Sequence, residues 1–210
     1  TDEELLVKAL MEAHKLYKPD GMPIVFDLQL EAEILGCDLV WAKDCPPSVS
    51  THPLEETMTV PCECTNPTKE EGRLPLVLSA MRRMKEAVGD DTALYGLFCG
   101  PFTLASHLRG NDIFMDMYDD EDYVHDLLDF CTKVGKSMID MYVEVGMDVI
   151  AVVDPLVSQI SVNHFEEFFA EPFTQLFDYI REKGVFSSFF VFASCFSFPQ
   201  NARCSAMPRV

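Results

Sequence analysis

Apolar positions along the chain alternate between helical stripes and short continuous runs. Leucine and alanine residues between Leu5 and Leu16 recur at intervals of three and four, which predicts an amphipathic helix opened by a capping-box pair of Thr1 and Glu4. Residues 22–26 then form a short apolar run that ends at Asp27, as is typical of a buried strand. The chain therefore begins with one helix followed by one strand.

The same alternation continues to about residue 191. Further apolar runs predict strands at 38–42, 93–99, 147–153 and 185–191, and helical stripes predict helices near 75–88, 121–145 and 162–182. Continuous apolar strands separated by helices are typical of a parallel sheet with covered faces. The sequence predicts the α/β class and a partial (β/α)8 TIM barrel, with about five of the eight parallel strands present.

The C-terminal residues differ from the rest of the chain. Every acidic residue lies at or before Glu182, and residues 193–210 show no period that predicts a helix after the last strand. We interpret 1–192 as an incomplete barrel domain and 193–210 as an atypical tail, out of frame or truncated. Because about five strands cannot close a barrel, we expect a chain that aggregates or needs a partner, and a homodimer is compatible with this.

The charge of the chain restricts its partners. The formal net charge is −19 and no basic stripe occurs, which excludes nucleic acid and anionic membrane surfaces. The sequence contains no apolar run long enough to span a membrane and no N-terminal signal pattern, so we predict a cytoplasmic protein.

The cysteines fit a reducing compartment. There are eight, several of them inside apolar helix or strand patterns. Cys62-Glu63-Cys64 is the one close pair, and its C-x-C spacing differs from the C-x-x-C spacing of most metal and redox motifs. We interpret it as a loop pair, with a metal or redox role as the alternative. The histidines form no H-x-x-x-H or H-x-H motif, so no metal site is predicted.

Two aspartates stand where catalytic groups of a barrel would lie. Asp27 and Asp154 each follow a predicted strand, and the carboxyl ends of parallel strands meet at one edge. Each also has a structural interpretation, Asp27 as a helix cap and Asp154 as part of the turn made with Pro155. No G-x-G-x-x-G or P-loop motif indicates a nucleotide site.

Several segments resemble the uroporphyrinogen decarboxylase superfamily, which also includes corrinoid-linked methyltransferases that act on coenzyme M. The resemblance rests on residues 24–27 with Gly36, on 95–104, on Met117-Tyr118 with His125, and on 146–154 with the helix after them. It covers nearly all of 1–192 and implies a (β/α)8 barrel that is incomplete at both ends here.

The resemblance implies roles for particular residues. Asp27 matches the catalytic aspartate that polarises pyrrole nitrogens, and Tyr118 matches a tyrosine near the reacting acetate. Further substrate contacts are expected from the strand-end segments, at Gly100, Phe102, Asp154 and Ser158. Decarboxylation of this kind needs no cofactor, because the protonated pyrrole is itself the electron sink, and an aspartate stabilises the cation.

Departures from the family pattern leave three alternatives. Pro155 stands where the decarboxylases carry Ser or Thr, and Phe190 and Phe192 stand where the methyltransferases carry a His-x-Cys zinc pair. We rank cofactor-free decarboxylation of tetrapyrrole acetates in porphyrin biosynthesis first. Methyl transfer from a methylcobamide to a thiol, with zinc and a corrinoid, is the second interpretation. The third is an inactive fragment or a module that binds a tetrapyrrole or corrinoid.

Overall fold

The fold was determined as a computed structural model that describes residues 2–42 and 46–191. The first helix, α1, spans Glu3–Tyr17, and its N-cap is Asp2, whose carboxylate accepts the Leu5 N–H at 3.0 Å. The cap predicted at Thr1 is therefore one residue too early, since Asp2 supplies the acceptor; Thr1 lies outside the described residues. The predicted tail at 193–210 also lies outside them.

The central sheet consists of four parallel strands in the described part of the chain. Its order is β1-β4-β5-β6, so β4 and β5 lie in the middle. The strands among the described residues, including two in a separate small sheet, are β1 Gly21–Pro23, β2 Leu39–Val40, β3 Ser48–Val49, β4 Ala93–Cys99, β5 Val149–Val153 and β6 Phe186–Phe190. The fold belongs to the α/β class, as predicted.

The predicted strand at 38–42 is not part of the central sheet. Only Leu39–Val40 forms a strand, and it pairs antiparallel with Ser48–Val49. Val40 and Trp41 are exposed, so this apolar run has no covering layer that would make it an inner strand. The central sheet thus has four parallel strands among the described residues, not five. The first strand also ends earlier than predicted, at Pro23, because only residues 21–23 pair with β4.

Helices cover one face of the sheet. They are α2 Leu30–Ile34, α3 Leu74–Val88, α4 Pro101–Arg109, α5 Ile113–Asp119, α6 Glu121–Glu144, α7 Val162–His164 and α8 Ala170–Glu182, with 3-10 turns at Glu63–Thr65 and Pro155–Gln159 and a π-helical turn at Phe165–Phe169. The main apolar core lies between these helices and the sheet. A smaller cluster of Leu97, Ala151 and Val153 lies apart from that core, with Leu28 and Tyr95 packed against it.

The parallel arrangement places the ends of the strands together. Cys99, the last residue of β4, pairs with Val153, the last residue of β5, and the Gly100 N–H donates to the Val153 carbonyl at 2.8 Å. The residues that follow β1, β4 and β5 therefore lie along one edge of the sheet. Within the described residues, no helix is long and apolar enough to cross a membrane.

Candidate active site

The carboxyl edge of the sheet holds three of the six predicted site residues. Gly100 and Asp154 directly follow β4 and β5, and Asp27 follows β1 after a short turn. The strands before Asp27 and Asp154 run in the same direction, as the sequence predicted.

Asp154 is fully buried and binds the turn that opens α4. Its carboxylate accepts the backbone N–H groups of Phe102 at 2.9 Å and Thr103 at 3.1 Å, and the Thr103 hydroxyl at 2.6 Å. Burial raises the pKa of Asp154 to about 7, although these bonds and one from the Val157 N–H act in the opposite direction.

Gly100 is required by the position of that carboxylate. A Cβ at residue 100 would lie 2.4 Å from both the Cβ and Oδ2 of Asp154, which is far inside van der Waals contact. Only glycine lets β4 and β5 end this close together with the carboxylate inserted between them. Gly100 and Asp154 therefore form one unit that fixes the start of α4.

Asp27 is mostly buried and already engaged. Its Oδ1 accepts the Gln29 N–H at 2.9 Å, and its Oδ2 forms an ion pair with the Arg73 guanidinium. Arg73 also donates from Nε to Glu33 Oε2 at 2.6 Å and lies over the ring of Trp41, 5.1 Å from its centroid. We refer to Asp27, Glu33, Trp41 and Arg73 as the Arg73 cluster. The carboxylate of Asp27 is thereby oriented by a cation from the segment before α3.

Glu31 is a buried carboxyl group at this edge that sequence reasoning missed. It is 1% exposed and accepts the Cys99 N–H at 3.2 Å, at the last residue of β4. Burial raises the pKa of Glu31 to about 8, with a further contribution from Asp27 that Arg73 opposes. Glu31 is therefore largely protonated at neutral pH.

A sequence signal for Glu31 does exist. It follows Asp27 by four residues, the spacing that places two side chains on one side of a helical turn, and it stands between the apolar residues Leu30 and Ala32. Its burial, however, depends on contact with β4, which lies 68 residues further along the chain. The local pattern alone does not specify that contact.

The remaining predicted site residues lie in different environments. Tyr118, on α5, is 66% exposed, and its ring meets the ring of His164 edge-on at 4.9 Å. Phe102 is fully buried, with its ring against Phe114 and Phe169, so it contributes to the core. Ser158 is exposed and donates to the Pro155 carbonyl at 2.8 Å within its own turn. Contacts of these residues with a substrate remain predictions.

The described residues do not fit a zinc ion. Across 2–42 and 46–191, no group of three or more His, Cys, Asp and Glu side chains is arranged to hold a metal. Phe190, at one of the two positions where the resemblance expects zinc ligands, offers an aromatic ring that cannot ligate the ion. Phe192, the other position, lies outside the described residues.

A parallel sheet covered by helices, with carboxyl groups in the turns after its strands, is the arrangement found in the wall of an α/β barrel, a fold whose sites lie at the carboxyl edge. Comparison with known proteins agrees. The family model described as uroporphyrinogen decarboxylase (URO-D) matches residues 1–205. The chain belongs to the uroporphyrinogen decarboxylase family.

Relatives of two activities are similar to this chain. A methylcobamide:CoM methyltransferase of Methanosarcina mazei is 30% identical over 188 residues, which cover 88% of this chain and 55% of the relative. A uroporphyrinogen decarboxylase of Sulfurovum sp. is 24% identical over 189 residues, covering 87% and 54%. The chain thus spans about half the length of the curated relatives it matches.

A solved structure confirms the fold. A methyltransferase from Methanosarcina mazei superimposes with a TM-score of 0.80 at 27% sequence identity, covering 91% of this chain and 57% of that protein. The described sheet and helices therefore correspond to part of a barrel of the family's type.

Proposed function

We propose that this protein transfers a methyl group from a methylated corrinoid to a thiol. The proposal reverses the order of the sequence interpretation, in which decarboxylation came first. It draws support from the identity of 30% to a methylcobamide:CoM methyltransferase, against 24% to a uroporphyrinogen decarboxylase. The relatives with this activity are about twice as long as this chain, so the proposal concerns the activity of the whole protein.

The observation that carries the proposal is the ion pair between Asp27 and Arg73. An aspartate that binds pyrrole N–H groups needs free acceptor positions on its carboxylate. Here one oxygen accepts the Gln29 N–H and the other is bound to Arg73. A substrate with pyrrole donors would have to compete with a charge-assisted bond between two mostly buried side chains, and such bonds are about twice as strong as neutral ones.

Methyl transfer places no such demand on Asp27. A methylated corrinoid, when bound, would supply the methyl group to the thiol, and the thiol proton would pass to solvent or a base. In this reaction the Arg73 cluster holds the turn after β1, and Asp154 holds the start of α4. Both would keep the edge of the sheet in position for the two substrates.

Decarboxylation of a tetrapyrrole acetate is the second candidate, and one observation favours it. Tyr118 exposes most of its ring, at the position that the resemblance assigns to the tyrosine near the acetate. Asp27 lies in the turn after β1 and is not completely buried. If Arg73 moved away, the Asp27 carboxylate would be able to accept hydrogen bonds from the pyrrole N–H groups of a substrate.

Two substitutions within the ion pair distinguish the candidates. For methyl transfer, Arg73→Gln and Asp27→Asn should reduce the rate to a similar extent, because each breaks the same contact. For decarboxylation, Asp27→Asn should abolish turnover while Arg73→Gln preserves or raises it. The assays are the loss of the methylcobalamin absorbance in the presence of 2-mercaptoethanesulfonate, and chromatography of porphyrins after incubation with uroporphyrinogen.

Arg83→Gln is the matched control. Arg83 lies on α3 and pairs with Glu3 and Glu4 of α1, so its loss also breaks ion pairs of one arginine without touching the Arg73 cluster. We expect unchanged rates for this variant. Loss of carboxyl groups from uroporphyrinogen, with no reaction of methylcobalamin, would overturn the proposal of methyl transfer.

A further inference from the structure

Cys62 and Cys64 form an ordered pair of thiols on the surface. Both are exposed and lie at the 3-10 turn Glu63–Thr65. The Cys64 N–H donates to the Cys62 sulfur at 3.3 Å, while the Thr65 N–H and hydroxyl donate to the Cys62 carbonyl at 2.9 and 2.7 Å. The turn therefore holds the two side chains next to each other in the reduced protein.

The two thiols are not equivalent. Hydrogen bonds from the Cys64 thiol and then from its backbone N–H lower the pKa of Cys62, whereas the same thiol–thiol contact raises the pKa of Cys64. The thiolate is the nucleophile in thiol–disulfide exchange. Because the Cys64 N–H donates to the Cys62 sulfur and stabilises a thiolate there, Cys62 is suited to attack, and Cys64 is suited to resolve the product.

The surroundings of Cys62 are acidic. It lines an open groove of about 350 Å³ together with Glu63 of its own turn and with Asp126, Asp129 and Lys133 of α6. Lys133 is bound to Glu63 at 2.6 Å and to Asp129 at 2.7 Å, so its charge is already balanced. Three carboxylates against one ammonium group give the groove a negative field, which repels anions and attracts cations.

We propose that Cys62 and Cys64 are a dithiol site that cationic low-molecular-weight disulfides oxidise reversibly to a disulfide. The site lies outside the carboxyl edge of the sheet and is independent of the proposed methyl transfer. The cysteines Cys37, Cys99 and Cys131 are buried, and burial raises the pKa of each, so they are poor competitors for the same reagent.

The exchange balances with the small disulfide as the oxidant. The Cys62 thiolate attacks one of its sulfurs, the sulfur–sulfur bond breaks, and one small thiol leaves with a proton. Cys64 then loses its proton and attacks the Cys62 sulfur of the mixed disulfide, which releases the second small thiol. Two electrons and two protons pass from the protein to the reagent.

A metal ion is a weaker explanation for the pair. Two sulfurs are too few for the four-ligand sites that zinc prefers, and the described residues supply no third His, Cys, Asp or Glu ligand in a suitable arrangement. The short spacing and the hydrogen bond from the Cys64 N–H to the Cys62 sulfur favour exchange chemistry.

Intact-mass spectrometry of the reduced 210-residue chain tests the proposal, with cystamine as the cationic disulfide. Peptide mapping of the same sample separates Cys62 and Cys64 from Cys45, Cys195 and Cys204, and in the wild type the peptide with Cys62 and Cys64 should lose two hydrogens without a lasting adduct. Cys64→Ser should accumulate a mixed disulfide at Cys62, and Cys62→Ser should react about tenfold more slowly, because it lacks the thiol of lower pKa. Equal rates for the two variants, or no loss of hydrogens in the wild type, would overturn the proposal.

Charge selectivity is the second arm of the experiment. At low salt, oxidised glutathione, which is anionic, should react about tenfold more slowly than cystamine, and salt should reduce the difference. The double variant Asp126→Asn with Asp129→Asn should reduce it as well. Cys45 is another cysteine that lies near the pair in sequence, so Cys45→Ser is the control. This variant should react at the same rate as the wild type and show the same charge selectivity. A preference for glutathione, or loss of the reaction in Cys45→Ser, would contradict the assignment.

Discussion

The contact between Gly100 and Asp154 shows how one side chain can determine its neighbour. Asp154 fills the space in which a Cβ of residue 100 would lie, and its carboxylate accepts bonds from the first turn of α4. A side chain at residue 100 would displace the Asp154 carboxylate, and loss of that carboxylate would leave the first N–H groups of α4 without their acceptor. The carboxylate at the end of β5 therefore contributes to the architecture of the edge, whatever further role it has.

Replacing Gly100 by alanine should destabilise the protein. The added methyl group must displace a buried carboxylate, and overpacking of this kind costs about 1–3 kcal/mol. Urea denaturation followed by circular dichroism measures the change in the free energy of unfolding. Ser158→Ala, at an exposed turn after β5, is the control and should have little effect. An alanine variant as stable as this control would contradict the packing argument.

Glu31 should make stability depend on pH. Its pKa is raised from 4.5 to about 8 in the folded protein, so between these values the unfolded chain releases the proton first and the folded chain retains it. The free energy of unfolding should therefore fall as pH rises from about 4.5 to about 8, and then become level. Glu31→Gln, which cannot ionise, should remove this part of the slope and be the more stable form at pH 8.

The measurement for Glu31 is a series of urea titrations between pH 5 and 9 for both proteins. Asp154 has a pKa raised to about 7 and contributes a slope of the same sign, so only the difference between the two curves reports on Glu31. A difference that does not vary with pH would show that Glu31 ionises in the folded protein as it does in the unfolded chain.

At the scale of elements, helix α4 depends on a partner outside itself. Gly100 precedes it and has no side chain to cap it, so Asp154 of the neighbouring segment accepts the Phe102 and Thr103 N–H groups. Thr103→Val keeps the shape of the side chain but removes a buried hydroxyl donor, which should cost about 1–3 kcal/mol. Thermal unfolding of this variant, beside Thr174→Val, tests the argument.

Thr174 is a suitable comparison because it also lies in a helix and donates to a backbone carbonyl, that of Ala170, but is exposed. Water can replace its bond, so Thr174→Val should change stability by less than about 0.5 kcal/mol. Equal losses for the two variants would mean that burial of the Thr103 hydroxyl adds nothing.

Elements with a continuous apolar run were predictable from the sequence, and those held by distant contacts were not. The prediction at 93–99 matches β4 exactly at both ends, and those at 147–153 and 185–191 contain β5 and β6. The run at 38–42 resembles these in composition, but its neighbours provide no cover for Trp41. For the site, the sequence indicated the strand-end positions of Asp27 and Asp154, whereas the pairing with Arg73 and the burial of Glu31 depend on residues far along the chain.

At the scale of the whole molecule, β6 forms an edge of the sheet in the described part of the chain. It pairs with β5 on one side, and Phe186 is 76% exposed. Exposed apolar side chains on an edge strand favour pairing with a second chain. Aggregation of the chain remains a prediction, and the exposed side chain of Phe186 is where we expect it to begin.

We expect the chain to associate with itself through the exposed side chain of Phe186. Phe186→Lys should lower the average mass measured by sedimentation velocity at a given concentration, because a charged side chain on an edge strand opposes pairing. Tyr17→Lys replaces another exposed aromatic side chain, on α1, and should leave association unchanged. Equal effects of both substitutions would indicate association that is not specific to β6.

The segment between α2 and α3 is fastened to the rest of the protein by cations. Arg109 of α4 donates to the carbonyls of Leu54 and Glu55 at 3.0 and 2.6 Å, and Lys133 of α6 binds Glu63 at 2.6 Å. Apolar packing holds the sheet and its helices, and it also includes Leu54 of this segment. Chloride salts screen ionic contacts, whereas sulfate strengthens apolar burial. A high concentration of chloride salt should therefore weaken the contacts of the segment between α2 and α3 more than those of the sheet and its helices. Under these conditions a protease should cut the segment while the sheet stays folded.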